Sequence, residues 1–287
     1  MSTQAPIGII GGSGLYNMPE VALEDEIGVI TPFGAPSDKL HRGKLAGREV
    51  FFLPRHGSGH RIGPSQINYR ANIYALKLMG VERILAVGAV GSLRQEIEPG
   101  HIVIVDQFFD RTRERKATFF EDGIVAHIAM ADPVCGGLRE SLIKACQTVG
   151  ATCHPRGTYL CMEGPQFSTR AESNVYRQWG MDVIGMTNLQ EAKLAREAEM
   201  CYATIALSTD YDCWHEDHDD VSVEQIIALL HQNVAMAQKI LAAVIPDLPT
   251  GTTCSCHSSL KNAIITDRGA IMPEVRERLK PLLEKYL

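Results

Sequence analysis

The chain lacks any apolar run approaching the roughly 20 residues that a membrane-spanning helix needs, because Gln, Lys or His interrupts its longest helical candidates. Its opening residues, Met1 to Pro6, carry neither the positive charge nor the apolar core of a secretory leader, so a cytoplasmic location is expected. A basic balance is absent too: 28 Lys and Arg stand against 34 Asp and Glu, a net charge of −6. That sign argues against a protein that coats nucleic acid. The basic cluster Arg111, Arg113, Arg115 and Lys116 comes without a stacking platform and reads as a solvated loop or a subunit contact. No internal repeat, low-complexity tract or linker divides the 287 residues, which predicts one domain, with 246–287 forming a C-terminal loop and helix.

Two nucleotide signatures are also missing. Ile7 to Ile10 reads as a buried strand running into Gly11-Gly12-Ser13-Gly14, yet Asn17 stands where a dinucleotide fingerprint needs its third glycine. No Gly-Lys-Ser/Thr follows, so it is not a P-loop either. What remains is a turn whose amides and Ser13 hydroxyl suit a phosphate. Of the eight cysteines, Cys135, Cys146, Cys153, Cys161 and Cys201 lie in or beside apolar stretches and read as small hydrophobes. Cys254-Ser255-Cys256-His257 offers three ligands and no fourth nearby, so a surface loop is expected and no metal site.

What is present centres on Arg55-His56-Gly57-Ser58-Gly59-His60, delivered by the apolar run Phe51 to Leu53. A forked guanidinium and two imidazoles in a glycine loop suit a small anion. The pattern Ile67, Ala71, Tyr74 and Leu78 predicts a helix capped by Ser65 and ended by Gly80, and Arg83 to Val90 reads as the next strand. Such a β-α-β unit predicts an α/β sheet whose loops after Ile10, Leu53 and Val90 share one pocket. Helical spacing spans Gly137 to Gly150 and Gln190 to Glu199, and apolar strands are expected at His101 to Val105, Gly157 to Met162, Met181 to Ile184 and Tyr202 to Leu207. Beyond the last of these, Asp210 and Asp212 would share one face of an extended segment, where two carboxylates bind a metal, accept from amino groups, or divide a proton. Ser222 to Gln225 fits a capping box for a long helix, and Val275, Leu279 and Leu283 mark an amphipathic helix over Pro273 to Leu287.

Together, Ile7 to Gly14, Arg55-His56-Gly57 with His60, Asn68-Tyr69, Gly88 to Leu93, Glu163 to Phe167, Met186-Thr187 and Thr209 to Trp214 resemble the methylthioadenosine phosphorylase branch of the trimeric purine nucleoside phosphorylase family. The resemblance implies a mixed, partly barrel-like sheet flanked by helices. It implies phosphorolysis of 5'-methylthioadenosine to adenine and 5-methylthioribose 1-phosphate, with phosphate as co-substrate and no cofactor. Matched residues would bind phosphate (Ser13, Arg55, His56, Gly88, Ala89 and Thr187), hold ribose (Met186), pack the base (Phe167) and hydrogen-bond the purine (Asp210 and Asp212). Members acting on 6-oxopurines carry Asn at the position of Asp210 and Glu where this chain has Ser168, which favours adenine here. Val223 and Ile226 would form an apolar wall for a methylthio group. His127 matches a residue lent by the adjacent subunit, implying a homotrimer or a dimer of trimers. Gly185, where some relatives have Asn, is a departure on the ribose side.

Other readings stay open at the level of sequence. One is a phosphorylase of methylthioinosine, adenosine or inosine. The others are a nucleotide- or metal-sensing protein using the Cys254-Cys256-His257 loop, and a nucleoside hydrolase.

Overall fold

The structure is a computed structural model whose described residues are 4–15, 21–215, 223–251 and 254–287; the side chains of 13, 223–228, 230 and 231 are not among them. The strand predicted at the start is β1 (Ile7–Gly11), buried throughout. An antiparallel meander follows, β2 (Val21–Ile27), β3 (Leu40–Leu45) and β4 (Arg48–Pro54). Next come α1 (Tyr69–Leu78), β5 (Arg83–Ser92), β6 (Ile102–Ile104), β7 (Gln107–Arg111), α2 (Gly136–Thr148) and β8 (Cys153–His154). The remainder comprises β9 (Thr158–Met162), α3 (Arg170–Gln178), β10 (Val183–Gly185), α4 (Asn188–Glu197), β11 (Cys201–Asp210), α5 (Val223–Val244), α6 (Pro273–Arg278) and α7 (Lys280–Leu283).

The centre of the sheet is parallel: β4, β1, β5 and β11 lie side by side in that order. Their residues alternate between two apolar layers, as strands covered on both faces must. Ile10, Phe51, Leu53, Ile84, Ala86 and Tyr202 face α1 and α4. Ile9, Val50, Phe52, Leu85, Val87, Ala203 and Ile205 face α2 and α5. Farther along, β5 exchanges β1 for antiparallel β10, which pairs β9 and then β7. Residues 105 and 106 join β7 back to β6, and β6 returns to β5 through β11. This circuit is the partly barrel-like portion, filled by Val90, Val103, Val105, Tyr159, Val183 and Ala206.

Several local expectations change. Asn68, not Ser65, caps α1, accepting from the Ala71 amide at 3.1 Å, because a separate 3-10 turn occupies Pro64–Gln66. The C-terminal helix divides at Leu279, where Pro281 removes a donor. Its apolar face survives: Val275, Leu279 and Leu283 are buried in the α1 and α4 layer. Ser222 of the expected capping box lies outside the described residues. The Cys254-Cys256 stretch is not a surface loop, since Cys256 is 3% exposed in the core between β11 and α2. Among the described residues no helix is long and apolar enough to cross a membrane.

Candidate active site

Four parallel strands end on one side, and there the backbone opens. Gly88 is half-buried and Ala89 exposed in the middle of the central strand β5, where neighbours on both sides are buried. A β-carbon on Gly88 would meet Asn188 Oδ1 at 3.2 Å and Arg55 Nη1 at 3.8 Å. These residues therefore floor a cleft, with β1, β4 and β11 supplying its rims.

On one rim Arg55 leaves β4 and ties the loops together. Its amide donates to Gly11 O at 2.9 Å, its Nη1 to Val87 O at 2.8 Å and its Nη2 to Ile10 O at 3.5 Å. Arg55 thus joins the ends of β1 and β4 to the middle of β5, and the loop after Val90 takes none of these bonds. Glu191, one turn into α4, takes Nε and Nη2. Burial alone would favour loss of the Arg55 proton, but the adjacent Glu191 carboxylate outweighs it and keeps the charge. Four of five N–H donors are occupied, leaving one Nη1 donor beside Gly88.

His56 sits above, its Nδ1 2.8 Å from Ile62 O and its ring stacked on His60 at 4.2 Å. A carbonyl partner requires Nδ1 to carry the proton. Burial, followed by the Arg55 and His60 charges, pushes His56 down to about 4. The ring is therefore neutral, and its Nε2 accepts rather than donates. Gly57 makes the turn at φ +68, and a β-carbon there would press on Ser37 O at 3.0 Å.

Thr187 closes the same corner. It is the N-cap of α4 and makes no cap bond with its side chain, which leaves its hydroxyl uncommitted to the helix at the positive helix end. Ser13 begins a 3-10 turn after Gly12, a backbone position that places it at the β1 rim; its side chain is outside the described set. Neutral His56, a helix N-terminus and one guanidinium donor make a corner fit for a small anion that carries a proton of its own.

Across the floor stands the carboxyl pair. Asp210 ends β11 and Asp212 follows in a left-handed turn at φ +53, so simple strand alternation does not bring them together. The turn does: the Asp212 amide donates to Asp210 Oδ1 at 2.8 Å, and Thr209 Oγ1 donates to Asp210 Oδ2 at 2.7 Å. Gly91 makes room, because a β-carbon there would meet Asp210 Oδ1 at 2.8 Å and Asp212 Cβ at 3.4 Å. Burial raises the Asp210 carboxyl. Burial and then the Asp210 charge push Asp212 up to about 6, against nearby Ser173 and Ser168 hydroxyls. Both carboxyls therefore keep a proton to higher pH than ordinary ones do, and Asp212 holds it more readily in the free protein because both Asp210 oxygens already accept. Asn233 of α5, bonded to Ser208 O at 2.9 Å, and Trp214, bonded to Ser92 O at 2.8 Å, pin this rim.

The third side is the Met186 segment. Met186 is half-buried beside Gly164, and its carbonyl accepts from Arg115. Arg115 is not solvated as its sequence neighbourhood suggested: its side chain is 1% exposed. It also reaches Gln190 Oε1 at 3.1 Å, Met162 O at 3.2 Å and Glu163 Oε1 at 3.3 Å. Gly185 precedes Met186 because a β-carbon there would overlap the Tyr159 phenol, so no Asn fits at this position. Phe167, 49% exposed on the loop after β9, is not part of the packed core. His127 is exposed on the strip bonded to Ala263, and among the described residues it makes no bond to Arg55, His56, Thr187, Asp210 or Asp212. Val223 and Ile226 begin α5, and their side chains are outside the described set.

A corner suited to an anion and a carboxyl pair with raised proton affinity lie beside the Gly88 to Gly91 stretch at the ends of parallel strands, an arrangement able to serve group transfer between an anion and a base. Residues 6–246 match the phosphorylase superfamily model. The chain belongs to that family. It is 59% identical over 282 residues, 98% of its length and 99% of the relative's, to an S-methyl-5'-thioadenosine phosphorylase from Geobacter sulfurreducens. It is 56% identical to the S-methyl-5'-thioadenosine phosphorylase of Koribacter versatilis, covering 99% of this chain and 97% of that one. A methylthioadenosine phosphorylase from an antarctic soil metagenomic library superposes with a TM-score of 0.93 at 47% identity, covering 98% of this chain and all of the other (100%). A Schistosoma mansoni adenosine/methylthioadenosine phosphorylase mutant solved with methylthioadenosine superposes with a TM-score of 0.80 at 37% identity, covering 85% and 91%.

Glu191, Arg115, Tyr159 and Asn188 escaped the sequence reading. Glu191 shares the apolar face of α4 with Leu194 and Ala195, and a carboxylate on that face was the available signal.

Proposed function

We propose that the chain is a pentosyltransferase that cleaves 5'-methylthioadenosine with phosphate, giving adenine and 5-methylthioribose 1-phosphate. The observation that carries this reading is the raised Asp210 and Asp212 pair placed across the Gly88-Ala89 floor from the Arg55 and His56 corner. Relatives above 50% identity bear the corresponding name.

Phosphate occupies the corner formed by the Gly12-Ser13 turn, Arg55, His56, the Gly88-Ala89 backbone and Thr187. As monohydrogen phosphate it donates its proton to His56 Nε2 and accepts from Arg55 Nη1 and the Thr187 hydroxyl. Ribose lies along Met186, its C1' turned toward that phosphate. The bond from C1' to purine N9 breaks with its electron pair leaving on the base, and phosphate oxygen captures the cationic carbon. A proton held by the carboxyl pair passes to purine N7 as charge develops there, and the remaining carboxylate accepts from the 6-amino group. Phe167 covers the base. Val223 and Ile226 at the start of α5 line the methylthio end, and His127 completes the pocket of a neighbouring subunit in a homotrimer. The enzyme needs no cofactor and works in cytoplasmic purine and methionine salvage.

Comparing kcat/KM for 5'-methylthioadenosine and inosine tests the substrate. Preference for the former is expected; preference for inosine overturns the roles given to Asp210 and Ser168.

A further inference from the structure

Four sulfur atoms from three distant parts of the chain meet at the opposite end of β11 from Asp210. The Sγ atoms of Cys135, Cys201, Cys254 and Cys256 all lie within 4.8 Å of one another, the one such cluster of potential metal ligands among the described residues. Cys135 and Cys254 are 3.5 Å apart. All eight cysteines are free thiols. We propose that these four cysteines form a structural site for a soft divalent d10 ion, zinc being the available member of that class.

The geometry and the chemistry agree. A tetrahedral thiolate cage with metal–sulfur bonds of about 2.3 Å has sulfur–sulfur edges of about 3.8 Å, inside the observed spread. Four thiols are a purely soft donor set, which selects zinc over hard cations. Two of the ligands are held by long regular elements. Cys135 is the N-cap of α2 and offers no side-chain bond to the helix, so its sulfur is free for the cage while the positive helix end faces the thiolates. Its amide is fixed on Tyr202 O at 2.8 Å. Cys201 opens β11, its amide on Glu82 O at 2.9 Å. Cys254 and Cys256 flank one residue in a 3-10 turn, and His257 supplies an outer contact, Nε2 to Cys201 Sγ at 3.5 Å with Nδ1 on Glu199 O at 2.9 Å.

Binding exchanges four S–H protons, released to solvent, for four metal–sulfur bonds, and nothing is oxidised or reduced. Nine residue steps along β11 separate Cys201 from Asp210, about 30 Å at 3.3 Å per residue. The ion is therefore remote from the chemistry. Its effect is to clamp residues 254–256, which have neither strand nor long helix to hold them, onto the central sheet.

The test is elemental analysis of the full chain, purified without a polyhistidine tag, together with thiol titration after unfolding in chelator. The proposal expects about one zinc per chain and all eight thiols titratable. It also expects cobalt(II) exchanged into the site to give the intense sulfur-to-metal absorption of a tetrahedral thiolate. The Cys254→Ser/Cys256→Ser variant should lose the metal and melt at lower temperature while keeping kcat. Should that variant not fold, the metal and thiol measurements on the unaltered protein still decide. Absence of bound metal overturns the proposal, both when eight thiols titrate and when fewer do because pairs have been oxidised to disulfides.

Discussion

Arg55 and Glu191 form a two-point ion pair, Nε to Oε1 at 2.5 Å and Nη2 to Oε2 at 3.1 Å, with both side chains out of contact with solvent. A guanidinium at a phosphate corner is commonly pictured reaching toward its anion with both prongs. Here Glu191 fixes most of it, so the role proposed for Arg55 is to set the corner's shape and potential while presenting one N–H. Removing Glu191 leaves a buried charge unpaired, which costs about 3–5 kcal/mol. Glu191→Gln should lower the urea midpoint accordingly and raise the KM for phosphate. The double variant Arg55→Met/Glu191→Leu should recover much of the stability and none of the phosphate-dependent activity. Equal loss of stability in the single and double variants would contradict this reading of the pair.

His56 is predicted to accept from phosphate. In His56→Asn the amide nitrogen can still donate to Ile62 O, keeping the loop, while the Nε2 acceptor disappears. Loss of one hydrogen bond to a charged partner, about 1.5–3 kcal/mol, corresponds to roughly 10- to 150-fold in KM for phosphate. The thermal midpoint should move little. An unchanged KM would remove His56 from the corner.

The pH dependence follows from the carboxyl pair. Asp212, raised to about 6, is protonated below that value and loses its proton above it. At saturating phosphate, kcat/KM for the nucleoside should therefore fall as pH rises through about 6, since that ratio reports the free enzyme. For stability the sign is the same: a carboxyl that folding raises is penalised once the unfolded group ionises. Stability should thus decline between the ordinary carboxylate range and about 6, and Asp212→Asn should abolish this contribution. A pH profile that rises across this interval would place the proton elsewhere.

Gly91 and Gly185 fall just past the strands expected at Arg83 to Val90 and Met181 to Ile184, and the pattern gave no sign of the side chains they make room for. Asp210 and Asp212 stood out as two carboxylates following an apolar strand, and the ends of such strands in an α/β sheet are where ligands gather; Thr187 and Met186 stood out only through the family resemblance. Arg115 did not, because its charged neighbours suggested solvent, and only the folded loops show that it is enclosed by Met186 O, Glu163 and Gln190. The cysteine cluster was hidden for the same reason: Cys135 and Cys201 are over 50 residues from Cys254, and spacing says nothing of a contact made by folding. The central β-α-β unit was visible because its periodicities are local. Strands β9 and β10 were also visible, at Gly157 to Met162 and Met181 to Ile184, but β7 and the circuit that these strands close were not, since which strands pair is not a local property.

Two substitutions probe those hidden requirements. Gly91→Ala places a methyl against Asp210 Oδ1 and should cut kcat by at least tenfold, with an overpacking cost of about 1–3 kcal/mol. Arg115→Met frees the Met186 carbonyl and the Glu163 loop and should raise the KM for nucleoside more than that for phosphate. Steady-state kinetics with each substrate varied in turn separate the two effects. A larger change in the phosphate KM for Arg115→Met would show that the Met186 segment does not hold the sugar.

The most direct measurement is the dependence of adenine release on phosphate. With 5'-methylthioadenosine as substrate, adenine and 5-methylthioribose 1-phosphate should appear in equal amounts, and adenine release should vanish when phosphate is removed. Adenine released at the same rate without phosphate, alongside free methylthioribose, would make the protein a hydrolase and contradict the role of the Arg55 and His56 corner.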